Sequence, residues 1–396
     1  MTNIFDSIAS YEVIRRLEKA GHEAVFVGGA VRDHLLRKIA KDIDIATSAE
    51  PDEVKVIFKN TIDVGIAHGT VLVIIEDEAI EVTTFRTEGT YTDHRRPDKV
   101  HFVKTLREDL LRRDFTINAL AMTKSGKIID LFSGEKDLHE RVIRAVGNPT
   151  ERFHEDALRM LRAVRFSSVL DFDIEVGTLQ AIHDNAHLIK HVSVERIKIE
   201  LDKLFTGVNP RKGLTILFTS QLGKELSLSN NKEEELKRAL PFITSTEGWA
   251  FFATIAEISP SELAKHFKLS NEERKFIKAV HKIYTKRLTS DYTINDYYLH
   301  DLPELKCAER FFHATNVDCA TLTDLEIEEK KKSLPIQRKQ DLVVNGKDLM
   351  EWTNLPGGPW TGEWIENIEQ AVLHGKCTNT LSDIKDWLMN DFKFEK

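Results

Sequence analysis

The stretch Ala24-Val25-Phe26-Val27-Gly28-Gly29-Ala30-Val31-Arg32-Asp33, with Asp42-Ile43-Asp44-Ile45 following it, decides the fold. Four apolar residues read as a short strand, the glycine pair as a tight turn, 31–37 as a helix and 42–45 as a second strand. Side chains alternate faces along a strand, so Asp42 and Asp44 are expected on one side with Ile43 packed inward. Two neighbouring carboxylates repel, and a site tolerates them best with a divalent cation between them. Few hard oxygen ligands suit magnesium held together with a triphosphate. Gly28 and Gly29 leave room for phosphates to reach backbone N–H groups, and Arg32 can neutralise their charge. No Walker motif is present, so this is not a P-loop. An Asp-x-Asp pair alone also fits a solvated strand edge; joined to Gly-Gly and Arg-Asp at this distance, it points to a site.

Upstream, residues 4–20 show helical spacing, with Ile8, Val13, Ile14 and Leu17 on one side and a stop at Gly21-His22. Downstream, 69–75 and 80–85 are β-rich runs around an acidic turn at 76–78, a hairpin. Glu81 on the second run is a candidate third carboxylate lining the site, or equally an exposed strand residue. The head is thus α/β with a mixed sheet. From about Glu151 helical periodicity dominates to the C-terminus, so the class is α+β. Ser259-Pro260-Ser261-Glu262, and Ser270 with Glu273, have the cap, N1-proline and capping-box spacings of helix starts. Lys330, Lys331 and Lys332 read as a solvated linker, with a phosphate contact as the alternative, and Leu355-Pro356-Gly357-Gly358-Pro359 breaks the last helical unit.

The 396 residues, 41% hydrophobic and 30% charged, suffice for about two or three cores and exclude disorder. No apolar run approaches the roughly 20 residues of a membrane span, and no signal layout opens the chain. A cytoplasmic protein without a membrane partner is expected. Cys307, Cys319 and Cys377 lie far apart, which indicates neither a disulfide framework nor a zinc site. With 56 basic and 64 acidic residues the net charge is −8, which argues against a surface basic throughout. A local basic groove stays open, because phosphate contact depends on where Lys and Arg sit.

Gly28-Gly29-x-x-Arg32-Asp33 through Asp42-x-Asp44 resembles the signature of class II tRNA nucleotidyltransferases, the CCA-adding enzymes and their bacterial poly(A) polymerase relatives. Leu111-Arg112-Arg113-Asp114-Phe115-Thr116-Ile117-Asn118-Ala119-Leu120 is similar to the family's second motif, and Glu155-Asp156-Ala157-Leu158-Arg159-Met160-Leu161-Arg162 to its base-reading motif. Asn345-Gly346-Lys347-Asp348-Leu349 and Gly357-Gly358-Pro359 resemble the tail of bacterial members. The resemblance implies a catalytic head at 1–140, a base-recognising neck at 141–206, and a body at 207–320 and tail at 321–396 that grip tRNA. It implies a two-metal, Mg2+-dependent nucleotidyl transfer in which a tRNA 3′-hydroxyl attacks the α-phosphorus of CTP or ATP and pyrophosphate leaves, with Asp42 and Asp44 as metal ligands and Glu81 as the third catalytic acid. Gly28, Gly29 and Arg32 would meet the phosphates. Arg113, Asp114 and Asn118 would lie near the sugar and phosphates, and Arg162 and Arg165 would add contacts, although each arginine also fits a surface ion pair.

Helical spacing places Asp156 three and Glu155 four residues before Arg159 on one face. A carboxylate accepts from an exocyclic amine and a guanidinium donates to a ring nitrogen, which suits C and A and leaves U and G mispaired. Each buried unpaired group costs about 1–3 kcal/mol. Glu155 would fix Arg159. The same spacing is also that of a surface ion-pair ladder, worth about 0.2–0.5 kcal/mol per pair. The polar run between Phe85 and Lys104 is too long for a turn; in the resembled family a flexible loop here switches the site from C to A, and its presence favours complete CCA synthesis. His183-Asp184 and His300-Asp301 lack further ligands at metal spacing. Poly(A) polymerase, partial CC- or A-adding enzymes, a small-molecule nucleotidyltransferase and a non-catalytic RNA-binding protein are the alternatives. The number of protomers stays open, a homodimer included.

Overall fold

A computed structural model describes residues 5, 7–40, 42–65, 69–88, 100–228 and 232–391. The chain divides into two compact units, 1–230 and 231–396.

The first unit opens with helix α1 (Ile8–Lys19), capped by the Ser7 hydroxyl accepting from the Ser10 amide. Strand β1 (Ala24–Val27) runs into α2 (Gly29–Leu35), and β2 (Asp44–Thr47) into α3 (Pro51–Ile57). β3 (Thr61–Gly65), β4 (Thr70–Ile75) and β5 (Glu78–Thr84) follow, with β4 and β5 forming the expected hairpin. A two-stranded ribbon, β6 (Arg86–Glu88) and β7 (Val100–Phe102), brackets 89–99. The polar run expected as a loop falls mostly on 89–99, outside the described residues. After α4 (Leu106–Leu111), β8 (Leu120–Met122) and β9 (Ile128–Asp130) complete a seven-stranded sheet of order β3-β4-β5-β2-β1-β8-β9. Neighbours are antiparallel except β2 and β5, which run parallel, so the sheet is mixed as expected. Alternation along β1 explains its burial on both faces: Val25 and Val27 pack with Phe85, Leu106 and Leu110, while Phe26 stacks on Tyr11 of α1 at 5.1 Å.

Helices then take over. α5 (Gly134–Glu140) is followed by a short parallel pair, β10 (Val142–Ile143) and β11 (Asp173–Ile174), which encloses α6 (Pro149–Glu155) and α7 (Leu158–Leu170). α8 (Val176–Asn185), α9 (Val194–Phe205), α10 (Pro210–Thr219) and α11 (Leu222–Glu225) complete the unit. α9 and α10 both pack on α7. That close approach needs Gly213, whose Cβ would stand 2.8 Å from Ser168 Cβ.

Every described secondary-structure element of the second unit is a helix. Ser259 caps Pro260–His266, and Ser270 with Glu273 forms the capping box of Asn271–Arg287, both as the spacing predicts. Its core gathers Trp249, Phe251, Phe252, Phe267 and Phe311. Cys307 and Cys377 are buried and Cys319 exposed, all as free thiols. Among the described residues no helix is long and apolar enough to cross a membrane.

Candidate active site

Sheet register gathers the site at one end of the first unit's sheet. Val27, the last residue of β1, pairs with Asp44, the first of β2, and Asp44 pairs in turn with Glu81 on β5. The Gly28 amide donates to the Leu120 carbonyl at 3.2 Å, which draws the turn at 116–118 to the same end. Gly28 has φ +70°, and a Cβ there would stand 2.8 Å from Arg113 Nη1. Glycine is thus favoured by the backbone, whose left-handed φ most side chains resist, while the arginine lying against it could shift to admit a Cβ.

Asp42 precedes β2 instead of lying in it, so the strand-face argument applies to Asp44 and not to Asp42; Ile43 is half-buried. The acids still sense one another. Burial pushes the Asp44 carboxyl up, the Arg113 guanidinium pulls it back, and the Asp42 charge adds to the rise. Glu81 is raised by loss of water, then by the charges of Asp44 and Asp42. Among the described residues, the side chains of Asp42, Asp44 and Glu81 form no hydrogen bond or ion pair, although arginines line the neighbouring wall. No three His, Cys, Asp or Glu side chains of the described residues are grouped as a ready cation cage. Acids without protein partners, two of them raising the third, fit a cation that completes its shell with substrate oxygens.

The arginines are held by buried acids. Asp109, wholly buried on α4, accepts from Arg112 Nη2 at 2.7 Å and Arg113 Nη2 at 3.2 Å; burial would raise its carboxyl, and the two guanidiniums lower it overall. Asp114 accepts from the Phe115 amide at 2.8 Å, Asn118 Nδ2 at 3.0 Å and Arg162 Nη2 at 2.6 Å. Burial works against its charge, yet Arg162 and Asn118 hold its carboxyl down at about 2. The Asn118 side-chain oxygen accepts from Arg32 Nη1 at 2.7 Å, and Asp33 takes the other edge of Arg32 at 2.8 Å. Glu200 of α9 receives Arg165 Nε at 2.5 Å and Arg162 Nη1 at 3.7 Å. Three of these guanidiniums surround the Phe166 ring, with Arg165 at 3.7 Å, Arg32 at 5.2 Å and Arg162 at 5.5 Å from its centroid.

Glu155, Asp156 and Arg159 do not share one continuous helix. The chain leaves α6 at Asp156, which is extended at φ −140°, and re-enters helix at Leu158, whose amide donates to Asp156 Oδ1 at 3.1 Å. Glu155 nonetheless pairs with Arg159, Oε2 to Nη1 at 2.6 Å, as the spacing predicts. Arg159 also donates to the carbonyls of Arg152 and Arg112. Asp156 is held by Arg196 of α9, Nη2 to Oδ2 at 2.7 Å.

A cavity of about 440 Å³ joins these groups. Its wall includes Gly28, Gly29, Arg32, Asp44, Arg113, Asp114, Asn118, Asp156, Arg159, Arg162 and Arg165. Of the other sequence candidates, Asp42 acts on Asp44, and both of them act on Glu81, from beside the wall. Glu155 lines an adjoining cavity of about 140 Å³ with Arg112 and Arg152. Seven arginines and three aspartates line the larger wall, and each arginine is held by an acid in it or just behind it: Asp33, Asp109, Asp114, Glu155, Asp156 or Glu200. Asp109, Arg196, Glu200 and Phe166 escape sequence reading. Asp109 has a signal, standing three and four residues before Arg112 and Arg113, which follow directly on the end of its helix; Arg196 and Glu200 have none, since α9 meets α7 only in the fold.

Three family models match the chain: a poly A polymerase head domain over residues 24–144, a probable RNA and SrmB-binding site of polymerase A over 171–227, and a putative tRNA nucleotidyltransferase domain 2 over 240–388. A CCA-adding enzyme of Bacillus cereus (strain B4264) is 43% identical over 383 residues, 95% of this chain and 96% of the relative. The chain belongs to the CCA-adding enzyme family. Within that family, the Bacillus stearothermophilus CCA-adding enzyme in complex with CTP superposes with a TM-score of 0.85 at 37% identity, covering 98% of each chain. A Thermotoga maritima CCA-adding enzyme complexed with tRNA shares the fold, with a TM-score of 0.69 at 21% identity over 97% of this chain and 94% of the other.

Proposed function

We propose that this chain adds C, C and A to the 3′ end of tRNA from CTP and ATP, without a nucleic-acid template. One observation carries the reading: a single arginine-lined cavity joins Asp44 to a hydrogen-bond acceptor, Asp156, and a donor, Arg159, each fixed by its own partner. The reaction is metal-dependent in this family, and Asp42 and Asp44 would hold Mg2+, with Glu81 beside them. When bound, magnesium lowers the pKa of the attacking hydroxyl and stabilises the leaving pyrophosphate oxygens.

The remaining work falls to the chain itself. Arg32, Arg113, Arg162 and Arg165 bind the triphosphate and align its α-phosphorus with the 3′-hydroxyl, Gly28 and Gly29 give the phosphates a close approach, and Asp114 and Asn118 keep two of those arginines aimed. Asp156 accepts from the exocyclic amine of C or A while Arg159 donates to the adjacent ring nitrogen. U and G present the opposite pattern and leave both side chains mispaired. In this reading 1–140 is the catalytic head, 141–206 the base-recognising neck, and 207–320 and 321–396 the body and tail that hold tRNA.

The test is a product-length assay on tRNA lacking its terminal nucleotides. CTP alone should give two additions, and CTP with ATP a defined third. An open-ended A tract would establish poly(A) polymerase instead, whose head domain model also matches residues 24–144. Arrest after CC, or addition of A alone, would establish a partial enzyme.

A further inference from the structure

Between Glu273 and Asp291 the sequence carries six Lys or Arg and no acid. Most of that run is the helix Asn271–Arg287 of the second unit. Two of its cations are neutralised within the fold, Lys286 by Asp296 at 2.5 Å and Arg287 by Glu309 at 3.1 Å. The other four, Arg274, Lys275, Lys278 and Lys282, are exposed and form no ion pair among the described residues. At 3.6 residues per turn they occupy an arc of about 100°. Ile277, Val280 and Ile283 are buried on the opposite side. Lys275, Lys278 and Lys282 climb the helix in steps of roughly 4.5 and 6 Å.

We propose that this face is a docking track for the phosphate backbone of double-stranded RNA. The proposal deepens the function above, on which it rests, by naming where a tRNA arm is held. Aligned cations without protein partners suit a regular polyanion, because each phosphate neutralised releases condensed counterions. A membrane surface fits less well: a surface-seeking helix needs its apolar face free, and here that face is in the core. An acidic protein partner fits less well too, since no exposed aromatic or aliphatic side chain lies among the four cations to serve as an anchor.

The test uses the full chain carrying K275E, K278E and K282E together, with tRNA affinity read by fluorescence anisotropy across a salt series. Kd should rise at least tenfold at 0.15 M salt, and the slope of log K against log salt should flatten by about 2–3, near one per lost contact. An unchanged melting temperature shows that the variant is folded. A control, K330E with K332E, applies charge reversal in the same unit beside Glu326 and Glu328 and should leave Kd within twofold. Wild-type affinity and slope in the triple variant overturn the proposal, as does equal weakening by the control, or loss of binding to phosphatidylserine vesicles with tRNA binding intact. Because affinity does not depend on turnover, a wild-type chain that binds tRNA but extends nothing defeats the function above and leaves this track standing.

Discussion

Arg196 grips Asp156 with both terminal nitrogens, Nη2 to Oδ2 at 2.7 Å and Nη1 to Oδ1 at 3.3 Å, from forty residues away on a different helix. Asp156 sits where α6 ends, so no helix of its own fixes its direction. Arg196→Ala should therefore lower the preference for CTP and ATP over UTP and GTP by about tenfold, the equivalent of one charge-assisted hydrogen bond. The check is kcat/KM for each triphosphate. Asp156→Ala and Arg159→Ala should relax choice more than they slow incorporation; nucleotide preference that stays at the wild-type level in all three would remove the base-reading assignment.

Asp42→Ala and Asp44→Ala are each expected to abolish incorporation while leaving tRNA affinity nearly unchanged. Chelation should do the same to the wild type, with activity returning on added Mg2+. Undiminished incorporation in either variant would falsify the metal assignment.

Asp109 is wholly buried and serves two guanidiniums at once. Removing one partner of a buried charge cluster costs on the order of 3–5 kcal/mol. Asp109→Ala should show a markedly lower urea midpoint and a raised KM for CTP, with Asp109→Glu recovering part of both. A variant as stable as the parent would show that the pairing contributes little.

Asp114 links stability to pH. Its carboxyl is depressed in the fold from the ordinary 3.8 to about 2. A depressed acid stabilises the fold above its unfolded pKa and loses that contribution as pH falls through the folded one. The contribution, about 2 kcal/mol, is thus full above roughly pH 4 and vanishes by about pH 2. Asp114→Asn should flatten the unfolding free energy across that window. Parallel curves for the two proteins would rule the linkage out.

Phe166 offers one ring to three cations. Phe166→Leu keeps the apolar volume and removes the ring's negative face, so KM for CTP and ATP should rise several-fold with kcat little changed, and Phe166→Tyr should restore it. A loss confined to kcat, or shared by Tyr, would point to packing alone.

The elements that local pattern can specify were legible in the sequence. The strand at Ala24–Val27, the glycine turn, the hairpin of β4 and β5 and the capping box at Ser270 depend on neighbours a few residues apart, and the sequence carries each of them. So did the acids and arginines of the wall, because their motifs place them close along the chain. The start of β2 at Asp44 and the break at Asp156 were not legible, since strand length and helix continuity are settled by pairing with β1 and by packing against α9.

What the sequence by itself determined is the chemistry available: a pair of acids, a set of arginines, and an acceptor and donor of the right kind. Only the tertiary structure decided which of them face one another. Parallel pairing of β2 with β5 sets Glu81 beside Asp44, and the packing of α9 on α7 supplies Arg196 to Asp156 and Glu200 to Arg162 and Arg165. The reason is physical: a long-range ion pair leaves no trace in local spacing, because the fold, not the intervening chain, brings its partners within reach.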